Sequence, residues 1–462
     1  MKKLMAGMLA FLMVLGTASC GGNNTDDDDK EQTEKETEVQ TDNKTEGKDQ
    51  EGEVNLEDIP DGSISLSVML PLGQWTDNFD VLVESYMADH PEVKEIDSNF
   101  PSSDKYPDLL KAGLSSQDLP DICSVGYGTR NEEWFPYMAD LSTGCPAYDE
   151  LTDEQIEMGT TEYGMLVMPL YVEGTGILYN MRLLGEAGWE EIPQTRDELK
   201  QLCEDLTAKG IKPFIHQWAE TSLNLVNWVG PTWLGNKEGG GLDFLNRMLE
   251  GEDMNLAEDK EWNDFVDTYE ILIEYAQEGA IATDKWTARN DFFLEECAML
   301  VGEGSWETPN IENTNPELLD YVKQGFLPCS NTPGESKMQT QAITASVAKE
   351  WKSDEQIAVA KDFLSYIAAS EDARIWHQEK MGNPTSIVTL EVSDNMPALP
   401  TDVVEAMQNN MAVQSMRPYF PAVTEPDLEQ VWGLFVAQEI SRDEFTQRYE
   451  EVFKKYAEGG YN

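Results

Sequence analysis

The chain has 462 residues, with 88 Asp plus Glu against 32 Lys plus Arg and a formal net charge of −56. Its length predicts two or three domains, and 40 % hydrophobic residues with 12 Trp can fill their cores. So negative a surface repels phosphates, which argues against nucleic acid and anionic lipid heads as partners. Three scattered histidines (His90, His216 and His377), and no Cys or His pair at zinc-ligand spacing, leave no metal centre or cofactor to expect.

Lys2 and Lys3 precede a thirteen-residue apolar run from Leu4 to Gly16, and Thr17-Ala18-Ser19 lead into Cys20. That pattern predicts a secretory signal over residues 1–20. The run is shorter than the ~20 apolar residues that a membrane-spanning helix takes. Small residues before Cys20, followed by Gly21-Gly22-Asn23, resemble a bacterial lipoprotein signal, with Thr17 where Leu is usual. The resemblance implies lipidation at Cys20; a plain signal peptide cut near Ser19 is the alternative. Residues 21–58 read as a disordered acidic tether. Between 23 and 58 stand 15 acidic and 4 basic residues without an aromatic, too little apolar surface to offset the entropy of folding.

Beyond the tether the chain alternates strands and helices. Ile64, Leu66, Val68 and Leu70 take alternate positions, a strand signal that breaks at Pro71-Leu72-Gly73. Phe79, Leu82, Val83, Tyr86 and Met87 then fall at helical spacing, and His90-Pro91 ends that helix. A short segment with Val93 and Ile96, a helix through Leu109, Leu110 and Leu114, and a buried strand over Ile122–Val125 follow. This order begins a doubly wound α/β lobe. Later helices are announced by their caps. Thr195 with Glu198 forms a capping box ahead of Leu199, Leu202 and Leu206, and Ser353 and Ser441 open two more. The five cysteines after Cys20 are odd in number and lack a Cys-x-x-Cys, so they read as small apolar filler.

Several pieces of this body carry a resemblance. They are His90-Pro91, Tyr106-Pro107-Asp108-Leu109-Leu110, Leu119-Pro120-Asp121-Ile122 and Gly176-Ile177-Leu178-Tyr179-Asn180. Ala187-Gly188-Trp189, Gly210-Ile211-Lys212-Pro213-Phe214, Ala298-Met299-Leu300 with Gly304-Ser305-Trp306, and Met381-Gly382-Asn383-Pro384 follow in order. Together they resemble the carbohydrate-type (family 1) extracellular solute-binding proteins of bacterial ABC importers. Arg196, where Trp is frequent, and Cys123 depart from the pattern at scaffold positions.

The resemblance implies a periplasmic-binding-protein-like fold, two doubly wound α/β lobes joined by a multi-segment hinge. The first lobe would take residues 60–168 with 328–384, and the second 172–326 with 386–462. Crossings are expected near Met168-Pro169-Leu170, Phe326-Leu327-Pro328 and Asn383-Pro384, where proline suits a locally stiff hinge segment. The implied partners are a carbohydrate ligand, ABC permease transmembrane subunits and, through the lipid, the membrane. The protein would be a monomer and not an enzyme.

A neutral sugar needs aromatic planes for its C–H faces and polar forks for its hydroxyls, and ligands of open α/β sheets sit at the carboxyl ends of strands. Trp75, beside Gln74, follows the first strand, and Tyr127 follows Ile122–Val125. Trp306 and Glu307 follow Gly304, where relatives place a sugar-stacking Trp. Trp218, Trp228 and Trp233 lie within sixteen residues, more than one helix face needs for packing. Asn383 and Arg417 stand in late loops; Arg417 suits a hydroxyl pair or a carboxylate, an ion pair with the acidic surface being its commoner role. Trp134, Trp189, Trp262, Trp286, Trp351, Trp376 and Trp432 read as packing. The rival readings are a lipid-anchored glycoside hydrolase and a glycan-binding adhesin. A hydrolase needs two carboxylates ~5–9.5 Å apart across a cleft, and among so many acids a pair such as Glu303 and Glu307 arises by chance. No nucleophile elbow, phosphate loop or His-based triad is present. An acidic body with an aromatic cleft points to recognition by stacking rather than by charge.

Overall fold

The alternating Ile64, Leu66 and Val68 turn inward along strand β1 (Ile64–Met69), which pairs in parallel with β2 (Val93–Asn99) and β3 (Ile122–Cys123). The computed structural model describes residues 54–71, 79–103, 105–387 and 391–461; Cys20, Gln74 and Trp75 lie outside them. Leu66, Val68, Leu70 and Ile122 face one side of this sheet, under the helices Phe79–Asp89 and Asp354–Ala369. Met69, Cys123 and Val125 face the other, under the helix Tyr106–Ser116 and the turn Thr129–Tyr137. Asp121 ties the layers: its carboxylate accepts from Ser67 N at 2.7 Å and from Gln356 Nε2 at 2.7 Å, and pairs with Lys352 at 3.1 Å. At the end of the expected tether, Val54 and Leu56 rest on this first core.

A short hairpin, β4 (Thr160–Thr161) with β5 (Gly164–Met165), precedes the long β6 (Met168–Asn180). In the second lobe, β7 (Phe214–Ile215), β8 (Met299–Gly304) and β9 (Val322–Gly325) join β6. Ile177, Tyr179, Phe214, Met299 and Val301 pack beneath helices Arg196–Ala208, Lys260–Glu274, Glu425–Val436 and Arg442–Ala457. Leu178, Ile215 and Leu300 pack on the opposite side with the helix Lys285–Phe293. Both lobes are therefore covered on two faces, as strands apolar on both sides require. The capping box at Thr195 forms in full, and Ser353 and Ser441 cap as their sequence implies.

The lobes are joined by β6 and β10 (Met338–Val347), antiparallel partners from Gln339↔Thr175 to Ala345↔Met168. The sheet order β2-β1-β3-β10-β6-β8-β7 runs through them, with β11 (Ala412–Gln414) added beside β10. One expected crossing is displaced. Leu327 and Cys329 both lie in the second core, and Ser330 O accepts from Arg196 N at 3.0 Å. The chain returns to the first lobe only along β10, from Met338 to Ala345 and Val347. A ten-residue strand, paired in turn with β11, β6 and β3, bridges the gap. Beside it, Val172 N donates to Pro384 O and Thr385 bridges to Tyr171. The five cysteines Cys123, Cys145, Cys203, Cys297 and Cys329 are buried and free.

Trp286 and Trp351 were expected to pack, yet are 58 % and 44 % exposed. Trp286 lies under the Lys285 and Arg289 cations, and Trp351, at φ +63°, is turned out beside Tyr137.

Gly304 ends β8 where β6 leaves no room: a Cβ there would lie 1.9 Å from Gly174 O and 2.6 Å from the Trp306 ring. Gly304→Ala should destabilise the fold by about 1–3 kcal/mol, as overpacking does, seen as a lower urea midpoint. An unchanged midpoint would mean that the strands part freely at this point.

Candidate functional site

The carboxyl end of β3 leads into the loop Gly126–Arg130, and that of β8 into the turn Ser305–Glu307. Beyond β7 the chain forms a π-helix over Thr221–Val229, a wide turn often found at functional sites. The segment from Ser415 to Glu425 completes the enclosure. Along one edge the lobes touch. Thr129 Oγ1 donates to Tyr419 O at 3.1 Å, and Arg130 pairs with Glu425 Oε2 at 2.5 Å. Asn227 Nδ2 holds the other oxygen of Glu425 at 2.8 Å. Gly128, at φ +73°, permits the approach, since a Cβ would sit 2.5 Å from Pro418 O.

Inside that edge, Trp228 and Trp306 stand with ring centroids 5.0 Å apart and planes tilted by 35°. Both are half-buried. The Arg417 guanidinium lies 4.6 Å over the Trp228 ring. Trp306 is aimed from beneath, where its indole N–H donates to Glu303 Oε2 at 2.8 Å. Arg289 grips Glu303 through both oxygens, at 3.1 and 2.9 Å, and Gln217 Nε2 adds a bond at 2.6 Å. The same guanidinium pairs with Glu307 at 3.0 Å, and Asn310 holds that carboxylate's other oxygen. Two acids thus share one base within the lobe. Burial pushes the Glu307 carboxyl up, the Glu303 charge adds to the rise, and Arg289 opposes it. Glu303 and Glu307 are therefore not an open pair flanking a substrate bond: both are buried on one arginine.

On the hinge strands, Glu173 accepts from Gln341 Nε2 at 3.1 Å. Burial raises its carboxyl to about 7, against lowering by Gln341 and Arg417. Burial also lowers Arg417 to about 10; Arg130 adds to this, and Glu425 and Glu173 oppose it.

The structure brings Trp228, Trp306 and Arg417 together. Tyr127 is 3 % exposed in the first core, its hydroxyl pushed above its ordinary range by burial and then by Tyr419. Asn383 is 1 % exposed at the hinge, its N–H on His377 O. Glu307 is a buried internal acid rather than a cleft group. Trp233 and Trp218 are corrected to core residues. Trp233 meets Phe244 and Trp262 edge to face, and Trp218 stacks on His216 at 4.3 Å, so neither has a free face for a ligand. Among the described residues Arg417 makes no carboxylate pair, contrary to its commoner role. The sequence reading missed Arg289, Gln217, Arg130 and Glu425, whose partners lie far along the chain; in so acidic a chain no local signal singles them out.

Two lobes around an aromatic cleft, built on strands that pass through both, form the architecture of a periplasmic-type binding protein. The family model for bacterial extracellular solute-binding proteins matches residues 73–374, and the chain belongs to that family. It is 20 % identical over 332 residues to the multiple sugar-binding protein of Streptococcus mutans, covering 69 % of this chain and 74 % of that one. It is 20 % identical over 385 residues to the melibiose/raffinose/stachyose-binding protein MelE of Bacillus subtilis, covering 79 % and 82 %. The solved structure of RafE with raffinose has TM-score 0.70 at 18 % identity, covering 85 % of this chain and 100 % of that one. A chitin oligosaccharide binding protein gives 0.71 at 17 %, covering 86 % and 100 %.

The folded chain holds a proton on Glu307 that the unfolded chain releases near 4.5. The stability from that proton is complete below the ordinary carboxylate range and is lost as pH rises through about 8. Denaturation midpoints of the wild type should therefore fall relative to Glu307→Gln between about pH 5 and about pH 8. A constant difference across that window would refute the buried acid.

Proposed function

We propose that this protein captures a sugar or oligosaccharide between its lobes and delivers it to the membrane permease of an ABC importer, tethered to the cell membrane by a lipid on Cys20. The observation that carries the reading is the pair Trp228 and Trp306 at the cleft, one ring under Arg417 and the other fixed by Glu303. Aromatic faces match the C–H faces of a sugar ring, and the Arg417 fork matches its hydroxyls. The names of the Streptococcus mutans and Bacillus subtilis relatives point to the same ligand class. Closure is a hinge motion whose equilibrium the ligand biases, because only the closed form surrounds it. The lipid rests on the sequence around Cys20; among the described residues no helix is long and apolar enough to cross a membrane.

A thermal-shift panel of plant and host-glycan oligosaccharides should find ligands that stabilise the protein, by about 2.7 kcal/mol at a concentration 100-fold above Kd. Trp306→Ala and Trp228→Ala should each weaken the best ligand about 10- to 100-fold by calorimetry, the scale of a buried aromatic contact. No shift across the panel would favour the adhesin reading, and release of cleaved sugar would favour the hydrolase. Cys20→Ser should shift the protein from the membrane fraction to the medium.

A further inference from the structure

In a chain with 88 acidic residues, cations readily find partners. Every other arginine has a carboxylate within 4.0 Å. Arg417 has none among the described residues, although it is half-buried at the cleft. The acids near it are engaged: Glu425 by Arg130 and Asn227, and Glu173 by Gln341. Glu173 is moreover drawn toward its neutral form by burial, which leaves the guanidinium still less compensated. A half-buried cation whose donors lack protein partners is costly, so a ligand that supplies the missing charge is strongly favoured there.

A second observation lies next to Trp228. A small gap of about 10 Å³ is lined by Trp228, Thr175, Thr232, Lys337 and Gln339 together with core residues Val229, Val301 and Leu327. Lys337 also lacks an ion pair among the described residues. The Gln339 amide is 3 % exposed, yet neither its oxygen nor its nitrogen has a hydrogen-bond partner. Trp228 is thus flanked by the unpaired Arg417 guanidinium over its ring and by a gap that Lys337 and the Gln339 amide also line.

We propose that this corner of the cleft receives a carboxylate carried by the sugar, so that the ligand is a uronate-bearing oligosaccharide. The inference rests on the carbohydrate reading above and names the class within it. The planar guanidinium fork fits a carboxylate through two parallel hydrogen bonds, while the Trp228 ring backs the guanidinium. Lys337, which lines the gap beside Trp228, adds a second positive charge nearby. The net charge of the surface does not forbid this, because at physiological salt exposed charges are screened beyond ~8 Å and the local guanidinium dominates.

The test is calorimetry on the full chain with galacturonate, glucuronate and mannuronate oligosaccharides. Each is set beside its neutral methyl ester, together with sulfated and neutral oligosaccharides. At least one uronate should bind about 10- to 100-fold tighter than its ester, the scale of a charge-assisted hydrogen-bond pair. That ratio should fall in high salt, collapse toward one in Arg417→Gln and partly persist in Arg417→Lys, with melting curves confirming that each variant folds. A neutral sugar bound with no preference for any uronate overturns the proposal and leaves the carbohydrate reading standing. Binding of none of these sugars overturns both. A preference unchanged in Arg417→Gln removes the assigned residue, and a sulfated sugar bound best replaces the carboxylate by a sulfate ester.

Discussion

The antiparallel pairing of β6 and β10 is the constraint on which the rest of the molecule depends. β6 enters both cores and β10 pairs along it from Met338 into the first core, so the lobes share one hydrogen-bonded ribbon. The ribbon has one irregularity. Register shifts between Ile343 and Thr344, opposite Pro169-Leu170-Tyr171, so the paired strand carries an extra residue there. A proline cannot donate to a ladder and within a sheet is accommodated at such a bulge, which also increases the local twist. Pro169 sits at this bulge within the first core, and β6 reaches the second core only from Ile177. The strap at Pro384 and Thr385 runs beside this ribbon.

That ribbon fixes what faces the cleft. β8 hydrogen-bonds to β6, and the tight passage of Gly304 over Gly174 O delivers Trp306 directly to the lobe interface. The indole is then held by electrostatics rather than packing alone. Glu303 accepts its N–H only while Arg289 and Gln217 hold the carboxylate in place. Burying such ions is usually close to neutral for stability, because desolvation offsets attraction. The benefit is in orientation: an aromatic plane that must meet a sugar face cannot swing freely. The two tryptophans of the second lobe therefore stand in different charge environments. Beneath Trp306 every charge is matched, while over Trp228 a guanidinium is left open.

Much of this was legible locally. The capping box at Thr195 and Glu198, the caps at Ser353 and Ser441, and the alternation from Ile64 to Val68 lie within a few residues of the groups they satisfy, so sequence spacing alone specifies them. Trp306 was legible because it directly follows a strand. The other cleft aromatic was not separable from its neighbours. Trp228 and Trp233 are five residues apart, yet a π-helix ends at Val229 and the chain turns at Gly230-Pro231. The first then faces Trp306 and the second enters the core. Helical periodicity of 3.6 residues does not describe a π turn. Pairings such as Arg130 with Glu425 span nearly three hundred positions and are set by the meeting of lobes, which no local pattern encodes.

The same distance argument bears on how the cleft opens. Among the described residues the edge includes one hydroxyl-to-carbonyl bond, one partly exposed ion pair and a glycine that allows backbones to touch. An ion pair in contact with solvent contributes roughly 0.2–1 kcal/mol, and a single hydrogen bond about 0.5–1.5 kcal/mol. Such an edge sets the register of closure without trapping the lobes, since its rupture costs no more than thermal motion supplies on a fast timescale. The open–closed equilibrium is then governed by what the two lobes enclose. A ligand that touches Trp228, Trp306 and Arg417 meets second-lobe groups, and Thr129 and Arg130 are the first-lobe groups placed at the edge beside them.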